Sequence, residues 1–138
     1  MKAEDIIAAA RSVIGTPFRH QGRSEKGRDC VGLLAYIGDC LNIEYLDISS
    51  YSPNPSGSLL EEALDSQPNI FRIRDFSDMQ AGDILVMRFR REPQHVAIFT
   101  GENIIHSYST VGICCEHILD NTWRRRIVRI YRIVGVEI

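Results

Sequence analysis

Apolar residues near the start of the chain recur at three- and four-residue intervals (Ile6, Ile7, Ala10, Val13, Ile14), the spacing of one helical face. The pattern predicts a helix over 3–14, stopped by Gly15 and Pro17. A polar, glycine-bearing stretch, TPFRHQGRSEKGR, reads as a loop. From Val31 to Leu41 apolar residues fall on nearly every side, which predicts a central helix covered all round. Asp29 is its expected N-cap, with Cys30 at the first helical position. The turn-rich SSYSPNPSGS follows, and Ser58 with Glu61 matches a capping box opening a short helix to about Leu64. Beyond Pro68 the segments NIFRIR, DILVMRF, HVAIFT, NIIHSY, GICCEHI and RRIVRIYRIV read as strands between turns. Helices first and strands after predict an α+β fold, in which N-terminal helices pack on one antiparallel sheet of about five to six strands.

Length changes this picture little: 138 residues fit one domain, 1–138. Charge removes two classes of partner. A formal net charge of −2 gives no general attraction to nucleic acid or anionic membrane, and no apolar run approaches a bilayer span. Glu4 and Asp5 stand where a signal peptide carries positive charge, so the expectation is synthesis in the cytoplasm without a secretion signal. The four cysteines (Cys30, Cys40, Cys114, Cys115) lack a Cys-x-x-Cys pair, and suggest neither a disulfide framework nor a zinc knuckle.

Cys30 raises the chemical question. A plain buried cysteine is one reading, since free cysteine is among the most buried residue types. The other is a nucleophile: the positive end of a helix favours thiolate, and its free N–H groups suit an oxyanion on an attacked carbonyl. The missing part is a base. QHVAIFTGENIIHSY reads as a hairpin reversing near Gly101 to Asn103, with 95, 97 and 99 on one face. An even number of unpaired residues puts His106 on that face, diagonal to His95 at ~7–8 Å between backbones; an odd number turns it away. In the even register a thiol, an imidazole and a second polar group form the sulfur counterpart of the hydrolytic triad.

GTPFRHQGRSEKGRDCVGL, AGDILVMRF, QHVAIFTG and IIHSYS, in that order, resemble the NlpC-type family of cell-wall cysteine peptidases, a papain-like group, over roughly residues 5–133. The resemblance implies Cys30 as nucleophile, His95 as general base and His106 as third, orienting residue, with Asp29 and Gly32 as motif flanks. It further implies hydrolysis of an amide in peptidoglycan stem peptides, typically beside D-glutamate or a diamino acid, without a cofactor. RHQGR, DCVGL and YSPNPSG are most similar to a bacteriophage branch thought to act at tail tips, which implies tail proteins as partners and a virion location; a prophage copy reads the same. Two positions depart from the pattern. Val31 stands where many members have Ser, and Phe18 where Tyr is frequent and its hydroxyl helps bind the oxyanion. Either Gln21 or His20 then supplies that donor, or the rate is lower, since losing one such donor costs ~10²–10³. Two alternatives stay open: a catalytically idle structural or wall-binding copy, and a thiol amidase or acyltransferase acting on a non-wall amide.

The remaining candidates are less determined. His20 is either groove-lining or solvated, and Tyr51 and Ser52 lie in a loop where substrate can pass. His117 with Cys114 and Cys115 suggests no metal site, because adjacent strand residues face opposite ways and a further ligand at suitable spacing is missing. Arg124, Arg125 and Arg126 beside Trp123 read as a solvated turn, or as an aid to docking on anionic wall polymer.

Overall fold

The structure, a computed structural model, describes residues 1–48, 51–52, 57–89 and 92–137. Helix α1 (Ala3–Arg11) buries Ile6, Ile7, Ala9 and Ala10. It ends three residues before the predicted boundary. From Gly15 the backbone is captured by a strand edge: Gly15 N–H donates to Cys114 O (2.9 Å), Cys114 N–H to Thr16 O (2.8 Å) and Phe18 N–H to Gly112 O (2.8 Å). The stretch read as a loop holds a small hairpin, β1 (Arg23–Ser24) with β2 (Gly27–Arg28).

Helix α2 (Cys30–Leu41) begins as the sequence predicts, with the Asp29 side chain accepting from Gly32 N–H. Its cover is incomplete. Leu33, Ala35 and Ile37 are buried, but Asp39 and Cys40 face solvent. Gly32 answers a close approach, because a Cβ there would lie 2.2 Å from the Gly22 carbonyl oxygen. Helix α3 (Leu59–Asp65) forms where expected without the capping box: Ser58 Oγ bonds Glu62 Oε1 and caps no backbone N–H. Of the turn-rich stretch before it, 49–50 and 53–56 lie outside the described residues.

The strands follow: β3 (Ile70–Ile73), β4 (Ile84–Phe89), β5 (Glu92–Phe99), β6 (Asn103–Tyr108), β7 (Ile113–Ile118) and β8 (Ile127–Ile133). They form one six-stranded sheet, order β3-β8-β4-β5-β6-β7, every neighbouring pair antiparallel. A short helix the sequence did not suggest, α4 (Asn121–Arg124), precedes β8 and is capped by Asp120.

Alternation along the strands separates two apolar layers. Ile84, Val86, Val96, Ile98 and Ile105 pack with Leu33 and Ile37 of α2 and with α1. Leu85, Met87, Ala97, Phe99 and Ile104 pack on the opposite face with Ile127, Ile130 and Leu119, against which Met79 and Trp123 lie. Asp83, opening β4, is 1% exposed and takes a two-pronged bond from Arg132 of β8 (2.8 and 3.0 Å). Both charges are therefore paired where desolvation would otherwise be costly.

Candidate active site

Sheet register decides the first question. Phe99 pairs with Ile104, leaving the even run 100–103 between them, so His95 and His106 share a face. They meet there. His95 Nε2 and His106 Nδ1 are 2.6 Å apart, with ring centroids at 4.8 Å. That face carries the Leu85, Ala97 and Ile104 layer, away from the one on which α2 packs. A helix residue thus reaches the imidazoles only through a gap in the sheet.

Such a gap exists. Among the described residues β5 and β6 pair only at Ile98↔Ile105 and Phe99↔Ile104, whereas β6 and β7 pair along six positions. Beyond Ile98 and Ile105 the two strands part, and the N-terminus of α2 meets the split. The backbone N–H of Val96 lies close enough to favour the Cys30 thiolate, and Ser107 Oγ donates to Arg28 O (2.6 Å), tying β6 to the chain just before the helix. A pocket of about 350 Å³ opens over this junction, lined by Cys30, His95, Phe18, His20, Tyr51 and Tyr108 among others.

Electrostatics at the thiol correct the sequence expectation. The helix end favours thiolate, yet burial, and then the charge of Asp29, push the Cys30 pKa up to about 12, with backbone N–H groups opposing weakly. His95, 5% exposed, is pushed well below the usual imidazole value by burial and then by His106, Arg126 and His117. His106 is fully buried, and burial followed by His117 brings it to about 3. At rest the thiol and both imidazoles are neutral. His95 Nε2 is engaged by His106, while no hydrogen bond among the described residues occupies its Nδ1.

Asp29 organises the approach to the pocket. It is 4% exposed. Its Oδ1 accepts from Gly32 N–H (2.8 Å) and Arg23 Nη1 (3.2 Å), its Oδ2 from Gln21 N–H (2.8 Å) and the Tyr51 hydroxyl. A buried carboxylate with four donors is a fixed anchor. Gln21 directs its amide Nε2 to Tyr51 O (2.9 Å), and the lining of the pocket does not include it. His20 does line the pocket, edge-on to Tyr51 with centroids 5.2 Å apart. Phe18 lines it too, without a donor.

His117 joins the site, which the sequence reading missed. Its Nε2 lies 2.8 Å from His106 Nε2, and its Nδ1 lies 3.0 Å from Ile118 O. The signal was present: His95, His106 and His117 are spaced by eleven, as are the turn glycines Gly101 and Gly112, so the parity argument for the first hairpin applies equally to the second. His106 also adds a third potential ligand to His117 and Cys115, the three offering atoms within 4.8 Å of one another. The sequence reading, which weighed His117 with Cys114 and Cys115, did not include this grouping; in the structure the two histidine Nε2 atoms are hydrogen-bonded to each other at 2.8 Å. Around these rings, Tyr108 stacks on His106 (5.3 Å) and Trp123 stands edge-on to it (5.1 Å). Of the basic run, Arg124 and Arg125 are solvated, but Arg126 packs over Trp123 (4.5 Å) and Phe89 (5.0 Å).

Helices packed on an antiparallel sheet, with a helix N-terminal cysteine lining the same pocket as a strand histidine, fit a papain-like fold. Residues 15–132 match the NlpC/P60 family, and the chain belongs to that family. A probable endopeptidase of Corynebacterium glutamicum is 29% identical over 116 residues, covering 83% of this chain and 47% of that protein. The chain thus spans about half the length of the curated relatives it matches. Among solved structures, an NlpC/P60 family protein from Bacillus cereus has a TM-score of 0.72 at 20% identity, over 98% of this chain and 41% of that one. The peptidoglycan hydrolase RipB from Mycobacterium tuberculosis has a TM-score of 0.67 at 17% identity, over 96% and 65%.

Proposed function

We propose that this chain is a cysteine endopeptidase or amidase cutting an amide in bacterial peptidoglycan stem peptides, with Cys30 as nucleophile, His95 as base and His106 as orienting residue. The observation that carries the proposal is Cys30 and His95 lining one pocket while His106 holds the far nitrogen of His95. Family membership supports the substrate class, as does the name of RipB, a peptidoglycan hydrolase.

The chemistry follows from the neutral resting pair. As substrate closes the pocket, the thiol proton passes to His95 Nδ1 while sulfur bonds to the carbonyl carbon. The oxyanion takes the Cys30 N–H, one of the four helix N–H groups without an intrahelical acceptor. His20, lining the same pocket, is the candidate second donor in place of the hydroxyl that Phe18 lacks. His95 gives its proton to the leaving amine as the C–N bond breaks. A water molecule, losing its proton to His95, then cleaves the thioester and restores the thiol. No step uses a cofactor. Tyr51 and His20 border the groove where the peptide lies.

Incubation with purified muropeptides, read by mass, tests this reading. Wild-type protein should release fragments summing to the parent plus water, and folded Cys30→Ala should release none. Intact muropeptides with wild-type protein would point to an idle wall-binding copy or to a non-wall amide. The bacteriophage-tail assignment is part of the proposal and rests on RHQGR, DCVGL and YSPNPSG, the last of which falls partly outside the described residues. Finding the chain in purified virions would support it, and its absence from them would remove it.

A further inference from the structure

We propose that His117 is a positioning residue that sets the tautomers of a three-imidazole chain and so leaves His95 Nδ1 as its bare, proton-accepting nitrogen; this rests on the reading of His95 as the base. The argument starts at the far end, where the partner can only accept. Ile118 O lies 3.0 Å from His117 Nδ1 and can only accept, so Nδ1 carries a proton; with a single proton on the ring, Nε2 is bare. His106 Nε2, 2.8 Å away, must then be the donor. Neutral His106 has one proton, so its Nδ1 is bare and accepts from His95 Nε2 at 2.6 Å. With its proton on Nε2, neutral His95 keeps Nδ1 free. Each link determines the next.

Without the carbonyl the chain has no preferred direction. The reversed arrangement, His106 Nδ1 donating to His95 Nε2, would place a proton on His95 Nδ1 and block it as a base. Holding the wrong tautomer in a hydrolytic triad costs up to ~10⁴ in kcat. The surroundings favour a neutral chain of fixed geometry. His95 and His106 are buried and held uncharged, Arg126 adds positive charge nearby, and Tyr108 and Trp123 fix the His106 ring. Cys115, the strand partner of His106, has its thiol pKa raised by burial and so adds no charge.

The test is imidazole ¹⁵N NMR on histidine-labelled protein, with kinetics on muropeptides. Wild-type protein should show protonated Nε2 and bare Nδ1 in His95, and protonated Nε2 in His106. His117→Gln retains an acceptor for His106 and should keep these tautomers and kcat within about threefold. His117→Lys offers only donors, and should move the His95 proton to Nδ1 and lower kcat tenfold or more with KM nearly unchanged. A protonated Nδ1 in wild-type His95, or unaltered tautomers and kcat in folded His117→Lys, would overturn the proposal. The tautomers are read in the resting protein, so failure of the peptidase reading, seen as no muropeptide cleavage, is distinguishable from failure of the relay.

Discussion

Cys30 and His95 are shifted in opposite senses by the same cause, removal from water. The thiol rises to about 12 and the imidazole falls well below its usual value, so the pair rests uncharged, and in the proposed mechanism proton transfer accompanies attack. His95 accepts a proton only when unprotonated. Because its pKa is depressed, the acid limb of kcat/KM for muropeptide cleavage should lie below pH 6.5, the ordinary imidazole value. A limb at or above that value would contradict the burial described here. Gly32, two residues further on, is tested by volume. An added methyl would meet the Gly22 carbonyl at 2.2 Å, so Gly32→Ala should cost about 1–3 kcal/mol of stability, measured as a lower urea midpoint. An unchanged midpoint would mean the loop and helix are not packed as described.

Between elements, the Asp83–Arg132 pair joins the start of β4 to the neighbouring β8. Asp83→Asn leaves the Arg132 guanidinium buried without its counter-charge, and should cost about 3–5 kcal/mol; a loss under 1 kcal/mol in denaturant unfolding would show the pair is solvated. The six strands were legible because alternation and turn residues are local signals. α2 and its Asp29 cap were legible for the same reason. What the sequence could not show was competition from distant partners. α1 stops early because residues 15–18 bond the β7 end of the chain, and Ser58 bonds Glu62 in place of its own helix backbone. The β1–β2 hairpin is too short to leave an apolar pattern.

Across the whole molecule, buried neutral histidines link acidity to stability. Unfolded imidazoles take a proton near pH 6.5, whereas folded His106 resists until about 3. Between those values the unfolded chain binds more protons, so stability is fullest above 6.5 and falls as pH drops through the window. The thermal midpoint should therefore decline from pH 7 to pH 4, and decline less steeply in His106→Gln; equal slopes would show that His106 is not buried neutral. Placement was legible as far as one hairpin reached: the cap put Cys30 at the start of α2 and an even loop put His95 and His106 on one face, while their proposed roles come from the family resemblance. The short pairing of β5 with β6 was not legible, since it is a tertiary feature with no local pattern. Trp123 reaches the rings from α4, a single turn too short to leave an apolar pattern, and Arg126 from just beyond it. The central claim is that Cys30 sulfur bonds to the scissile carbonyl, and rapid-quench mass spectrometry with a muropeptide tests it most directly. The account predicts a transient acyl fragment on the peptide containing Cys30, formed and lost at rates matching turnover. Cleavage that continues in folded Cys30→Ala would contradict it.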